Sequence, residues 1–482
     1  MDKFATLIQT CDQAIKSGQA HEASRLLAEL NTGEIPDSQR LALAKLCRRA
    51  GLPSLGLRIL GRVVLADRYA LSRPPTDHEL AEYGVLLQRM GALGEAFDKL
   101  RRVNTAKAPE ALLYLAYYHF AIWEFEQALV PLQEYLKADL DPHTLSVGHL
   151  NLAFALVECR RFEEADPVLS QLLDSESQLV RQNTYALRAQ IHSWNGDFVR
   201  AEHEISEAKV AMHKGSSNDQ FFTQKWRLIL TGLRDRDPSQ FLKLGELAKA
   251  QQAWEVSREA DLFSLKVKFD EQRFLRLLFG SPYPGFRYRL SRELEQHTTE
   301  STFLLGEYDA PRLDLATGLI DGRSILKPGL QAHQMIEVLT RDLYRPLRVA
   351  GLFSTIFPGE IFNVGSSSHR VHQMMTRSRR QFAESGVPLA ITESRGFYQL
   401  NLTGPFGILL TMDRSPINLA ELQFKRLQQA FAKVSAFSAK EVGHALGVSG
   451  ATVHRLLKRE INGGRIERLR GGQLPEFRFK VA

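Results

Sequence analysis

FSAKEVGHALGVSGATVHRLLKREINGGRIERL, residues 437–469, reads as helix, tight turn, helix and strand. Ser438 followed three residues later by Glu441 is a capping box, in which each side chain satisfies an orphan amide of the first turn. The helix it starts is expected over Ala439–Leu446, and Gly447 supplies the left-handed residue that stops it. Ser449 then caps a second helix, expected over Gly450–Ile461. Val442, Leu446, Val448, Val453, Leu456 and Leu457 fall on the inward side of this pair. Gly450, Thr452, His454, Arg455, Lys458 and Arg459 are left outside. A small residue at the helix start admits close approach to a groove. Thr452 and His454 have the reach and chemistry for base edges, and Arg455 for a guanine or a phosphate. Lys458 and Arg459 suit the phosphate backbone. A hairpin is expected next, over Arg465–Leu469 and Glu476–Lys480, bearing Arg468 and Arg470.

The charge balance agrees with that chemistry. Residues 418–482 hold twelve lysines and arginines against five acids, an excess equal to the formal net charge of the whole chain, +7. A charge concentrated in so short a segment suits a polyanion partner. In helix lengths, turn and strand, residues 437–469 resemble the winged helix-turn-helix superfamily of bacterial regulators. The resemblance implies a C-terminal winged-helix domain over 418–482 that contacts double-stranded DNA.

Upstream, FLLGEYDAPRLDLATGLIDGRSI (303–325) alternates apolar and polar residues between Gly-containing breaks, which predicts a small antiparallel sheet. Helices are expected near Gln331–Asp342 and Arg348–Phe357. A third starts at GSSSHRVHQMMTRSRRQF (365–382), with Ser366, Ser367 or Ser368 as its cap. Val371, Met375, Ser378 and Phe382 make its inward stripe. Arg370, Arg377 and Arg380 lie on its outer side, and no acid occurs from Gly365 to Arg380. LAITESRGFYQLNL (389–402) reads as strand, turn at Arg395-Gly396, strand. The order and the wording RLDLATGLI, V-x-x-x-M and ITESRGFYQL resemble the OmpR/PhoB-type winged-helix domain. That resemblance implies a domain over 303–403 whose third helix enters the major groove and whose hairpin, with Arg395, reaches the minor groove. Ser378 departs from it, standing where the family has a bulky apolar residue.

Residues 1–276 have apolar spacings of three and four throughout, the period of amphipathic helices. A phrase with a small anchor recurs at Ala23, Gly56, Ala96, Ala128, Ala165 and Ala201, at intervals of 33, 40, 32, 37 and 36. Intervals in the mid-thirties mean stacked helical hairpins. The pattern resembles the tetratricopeptide repeat family, which implies an α-solenoid whose concave face takes a protein or peptide partner. Trp123, Trp194, Trp226 and Trp254 read as core residues of this array. Pro282 and Pro284, among glycines, read as its end, with a linker over 277–302.

The expected fold class is therefore mainly α: a tetratricopeptide-like α-solenoid followed by two small α+β winged-helix domains. No apolar run reaches the ~20 residues of a membrane helix, and the first residues do not read as a secretory leader. Three cysteines, Cys11, Cys47 and Cys159, form neither a paired framework nor a zinc motif, which suits a reducing cytoplasm. No phosphate loop, dinucleotide fingerprint or zinc-protease motif occurs, so no catalytic, metal or cofactor residues are assigned and no enzyme is expected. Two readings remain. One is a cytoplasmic DNA-binding regulator, alone or as a homodimer. The other is a non-enzymatic scaffold subunit resembling the PCI architecture, whose winged helices serve assembly and bind no DNA.

Overall fold

A computed structural model describes residues 3–65, 73–211, 217–324, 326, 330–412, 424, 427–428, 430–431, 434–446, 448–469 and 476–480. The chain is mainly helical, and among the described residues its small sheets lie between Thr302 and Phe479. Helices follow one another from Lys3–Lys16 to Pro284–Leu294, and most pack on their sequence neighbours. The small anchors explain how closely they approach. Ala23, Ala96, Ala128, Ala165 and Ala201 are wholly buried. A Cβ added at Gly56 would stand 2.9 Å from Leu86 Cδ2, so the helices Pro53–Val64 and Asp77–Arg89 touch where only glycine fits. Helix starts follow local rules: Thr76 and Glu79 form a reciprocal capping box, and Arg73 clasps the same Glu79 at 2.7 and 2.8 Å.

The linker expected over 277–302 is not a spacer. Asp270 caps a helix over Glu271–Phe279, and another runs over Pro284–Leu294. Pro284 occupies the first turn, where its missing N–H costs nothing and its fixed φ favours the helix. A proline that reads as a terminator is here an initiator. Phe279, Phe286 and Leu290 are fully buried. The second of these helices also carries ionic ties back to earlier helices. Arg289 bonds Glu158, and Glu293 receives Arg289 at 2.8 Å, Lys266 at 2.5 Å and Arg160.

Burial alone would raise the Glu293 carboxyl, but Arg289, Lys266 and Arg160 outweigh it and hold it well below its ordinary value of 4.5. A carboxyl depressed in the folded state adds stability above its unfolded pKa and loses it as pH falls towards the folded one. Urea unfolding is therefore expected to show stability falling from about pH 5 downward. Glu293→Gln is expected to be less stable at pH 7 and flatter through that acid window. An unchanged acid limb in the variant would remove Glu293 as its source.

The first sheet has strand order β1-β8-β2-β3-β4, with β1 Thr302–Gly306, β2 Arg312–Asp314, β3 Leu319–Ile320, β4 Arg323–Ser324 and β8 Gly407–Thr411. Strand β8 pairs antiparallel with β1 and parallel with β2, so this unit extends past the expected limit of 403. Helices Gln331–Arg341, Val349–Ile356 and Ser366–Glu384 follow β4. A second sheet, β5-β7-β6, comprises Leu347–Arg348, Phe397–Leu402 and Leu389–Ser394. Its turn puts Arg395 and Gly396 at φ 52° and 80°, two left-handed residues as a two-residue hairpin loop requires.

These sheets are not an appended module. One hydrophobic core runs from Leu86 and Met90 through Phe279 and Phe286 to Phe353, Phe382 and Leu410. The junction is tied by Arg258, wholly buried, which donates to both oxygens of Asp342 at 2.7 and 2.8 Å. Two of the tryptophans, Trp123 and Trp226, are buried as expected; Trp194 and Trp254 are only partly so. All four line one cavity of about 690 Å³, which corrects their reading as plain core.

Candidate nucleic-acid interface

The C-terminal unit packs its own core. Leu427, Phe437, Val442, Val453, Leu456, Leu457, Ile466 and Phe477 are buried together, with Leu446 and Val448 against them. Helices Ala439–Leu446 and Gly450–Asn462 lie against each other, beside a sheet of order β10-β11-β9. Its strands are β9 Phe437–Ser438, β10 Ile466–Arg468 and β11 Glu476–Phe479. The cap chemistry holds as read. Ser438 N–H and hydroxyl meet Glu441 at 2.7 and 2.8 Å, and Ser449 Oγ accepts the Thr452 N–H at 3.4 Å. Gly447 and Arg470 lie outside the described residues.

Packing of Val453, Leu456 and Leu457 inward leaves Ser449, Gly450, His454, Arg455 and Lys458 exposed. Among the described residues Arg455 hydrogen-bonds only within its own helix, at 3.4 Å to Ala451 O and to Thr452 Oγ1. Among the described residues neither Arg455 nor Lys458 has an acidic partner, and Arg468 on β10 is likewise exposed and unpaired. Two expected contacts are changed by their surroundings. Thr452 is half-buried and its hydroxyl is engaged with Ser449 at 3.1 Å, so it is a cap residue before it is a reader. Arg459 is bonded to Glu460, whose side chain is fully buried, and Arg465 reaches the same carboxylate at 2.5 Å. A buried carboxylate needs such partners, so Arg459 is held by the protein and is not a free phosphate grip. Arg478 pairs with Glu467 across the β10–β11 register.

In the middle unit the inward stripe of the helix Ser366–Glu384 is as read: Val371, Met375, Ser378 and Phe382 are buried. The Ser378 hydroxyl is satisfied by Met374 O at 2.9 Å, which is how a polar residue fits there. The expected serine cap is replaced by Asn363, whose Oδ1 accepts the N–H groups of Gly365 at 3.0 Å and Ser366 at 3.1 Å. Arg370 is also corrected. It is paired with Glu360 at 2.5 and 3.1 Å and lies 4.1 Å over the Phe357 ring, so its charge is neutralised by the fold. Arg377, Arg380 and Arg395 remain exposed with no acidic partner among the described residues. The pairing of Glu460 with Arg459 follows from the burial of Glu460, and that of Glu360 with Arg370 from the approach of the Glu360 loop to the helix.

No family model matches this sequence, and no curated protein matches it.

Proposed function

We propose that the chain is a DNA-binding transcriptional regulator, with residues 437–480 as a winged helix-turn-helix unit. In this reading the helix Gly450–Asn462 enters a major groove, with Ser449 and Gly450 at its tip. His454 faces bases, and Arg455, Lys458 and Arg468 face phosphates. The observation that carries the reading is selective pairing of charge. Arg459, Arg465 and Arg478 are matched by Glu460 and Glu467, while Arg455, Lys458 and Arg468 stand exposed with no acidic partner among the described residues. Unmatched surface cations release counterions from DNA on binding and so supply affinity.

The helices over residues 3–294 are proposed as a tetratricopeptide-like α-solenoid that docks a protein or peptide partner, in a cytoplasmic regulator. For the middle unit a second reading has its own support. Its core is continuous with the helical array, and Arg370 is tied down. As an OmpR/PhoB-type winged helix it would offer DNA only Arg377, Arg380 and Arg395. As a structural joint of the PCI kind it would fix the array to the reader. Titration of a labelled mixed-sequence duplex with the whole chain at about 50 mM salt tests the main proposal. Saturable binding supports it, and none overturns it in favour of the scaffold.

A further inference from the structure

The cavity of about 690 Å³ lies between the helical array and the middle unit, within the size range of small-molecule sites. Its walls are Trp123, Trp194, Trp226 and Trp254 from the array, closed by Arg348 and Phe397 of the β5–β7 pair. Aromatic faces of this number supply apolar area and bind cations.

The polar groups in this wall are left incomplete in a patterned way. Glu255 uses Oε2 to accept the Trp123 indole N–H at 2.9 Å. Its Oε1 is enclosed without a hydrogen-bond partner, with Arg345 no nearer than 3.9 Å. Glu259, one turn along the same helix, has no salt-bridge or hydrogen-bond partner among the described residues. Burial pushes its carboxyl up against the pull of the more distant Lys225, and Glu158 and Glu255 add to the rise. By contrast, Glu158 is satisfied by Arg289 and by Gln190 at 2.8 Å. Lys225 and Arg345 also stand in this wall, yet neither completes a hydrogen bond to Glu255 Oε1 or to Glu259 among the described residues, so these carboxylates are left open to a donor from the cavity.

The opposite need appears at Arg348. Its guanidinium stacks 4.2 Å over the Phe397 ring, and that ring meets Trp254 edge-on at 5.7 Å. No acid pairs with Arg348 among the described residues, and burial lowers its pKa. The indole N–H of Trp254 between the two ends is enclosed and unpartnered. An anionic ligand would meet Glu255 and Glu259 unrelieved, and a cationic one would leave Arg348 unrelieved. A molecule with one charge of each sign meets both.

We propose that this cavity binds a zwitterionic small molecule. Its ammonium would sit at Glu255 and Glu259, its carboxylate at Arg348, and its aromatic bulk among the tryptophans. Arg348 is paired with Phe397 in the strand register that leads to the Arg395 turn, so an occupant would lie directly behind that hairpin. The site stands apart from the DNA reading, and its test contains no DNA.

All four tryptophans of the chain line the cavity, so intrinsic tryptophan fluorescence reports on this site. The probe is the dipeptide L-Phe-L-Phe, which does not emit in the tryptophan window, beside its N-acetyl and C-amide forms. The free dipeptide is expected to give a saturable change. Each blocked form is expected to bind at least about tenfold weaker, as loss of one charge-assisted contact implies. In Glu259→Gln, N-acetylation is expected to lose its penalty; in Arg348→Gln, C-amidation is expected to lose its own. No saturable change with the free dipeptide overturns the proposal, and so does equal binding of all three forms. The wild-type comparison decides the matter alone if either variant fails to keep its far-UV circular dichroism.

Discussion

Asp342→Asn is expected to lower the stability of the whole chain by about 3–5 kcal/mol, the cost of leaving a buried charge without its partner. The Arg258 side chain is 0% exposed and that of Asp342 only 6%. Burial works against the Arg258 charge, and Asp342, with Glu255, more than offsets it. The substitution keeps the shape of the side chain and removes the charge, so it isolates the electrostatic part. Asp342 also accepts the N–H groups of Tyr344 at 3.0 Å and Arg345 at 3.1 Å, holding the segment that enters β5. Urea unfolding at pH 7 measures the effect. A loss below about 1 kcal/mol would mean that the guanidinium finds water in place of Asp342. The double variant Arg258→Met with Asp342→Asn should recover much of the loss, since it removes the uncompensated charge while the asparagine Oδ1 can still accept the Tyr344 and Arg345 N–H groups. The two residues join the helical array to the middle unit, so the experiment also measures how firmly those parts are coupled.

The second large effect concerns DNA. Combining Arg455→Ala, Lys458→Ala and Arg468→Ala is expected to weaken duplex binding by two to three orders of magnitude near 0.1 M salt. The size follows from counterion release: each lost phosphate contact removes about 0.9 from the log–log salt slope, or roughly eightfold in affinity at that salt. These three side chains are exposed and have no acidic partner among the described residues, so their removal should leave the fold intact. Arg459→Ala is the control. It deletes a cation next to Lys458 in sequence, but one already bonded to buried Glu460, and its effect on DNA should be several times smaller than that of any of the three. A triple variant that binds within about fivefold of the wild type would sink the assignment of this face.

How much of this could be read from sequence depended on the range of the interaction. Ser438 with Glu441, Ser449 before Gly450, and Arg395-Gly396 are local devices, and the bounds of the neighbouring elements were legible from them to within a residue or two. The small anchors of the array were legible for the same reason, since close helix contact needs a small residue wherever it occurs. Strand β8 was not legible. Its partner β1 lies about a hundred residues earlier, and GILLT alone does not say that it must pair. The prolines at 282 and 284 misled because the same residue ends one helix and begins another, and only the burial of Phe286 and Leu290 distinguishes the cases.

The candidate interface was legible in composition and less so in detail. Counting charges gave an excess of cations in the tail but could not say which were matched. Glu460 takes its neighbours Arg459 and Arg465, Glu467 takes Arg478 across a hairpin, and Glu360 takes Arg370 ten residues on, and the count does not show which acid turns inward or meets which cation. The tryptophans show the converse limit. A large apolar residue packs equally well in a core and in the wall of a cavity, so hydrophobicity did not separate them. The unpartnered atoms of Glu255 and Trp254 did.

Salt dependence of wild-type binding to a mixed-sequence duplex of about 30 base pairs, between about 50 and 200 mM salt, tests the central claim most directly. With Arg455, Lys458 and Arg468 each on a phosphate, log K should fall against log salt with a slope of about −2.7 or steeper. A slope shallower than about −1, or no binding at the lowest salt, would contradict a DNA-facing surface on the helix Gly450–Asn462.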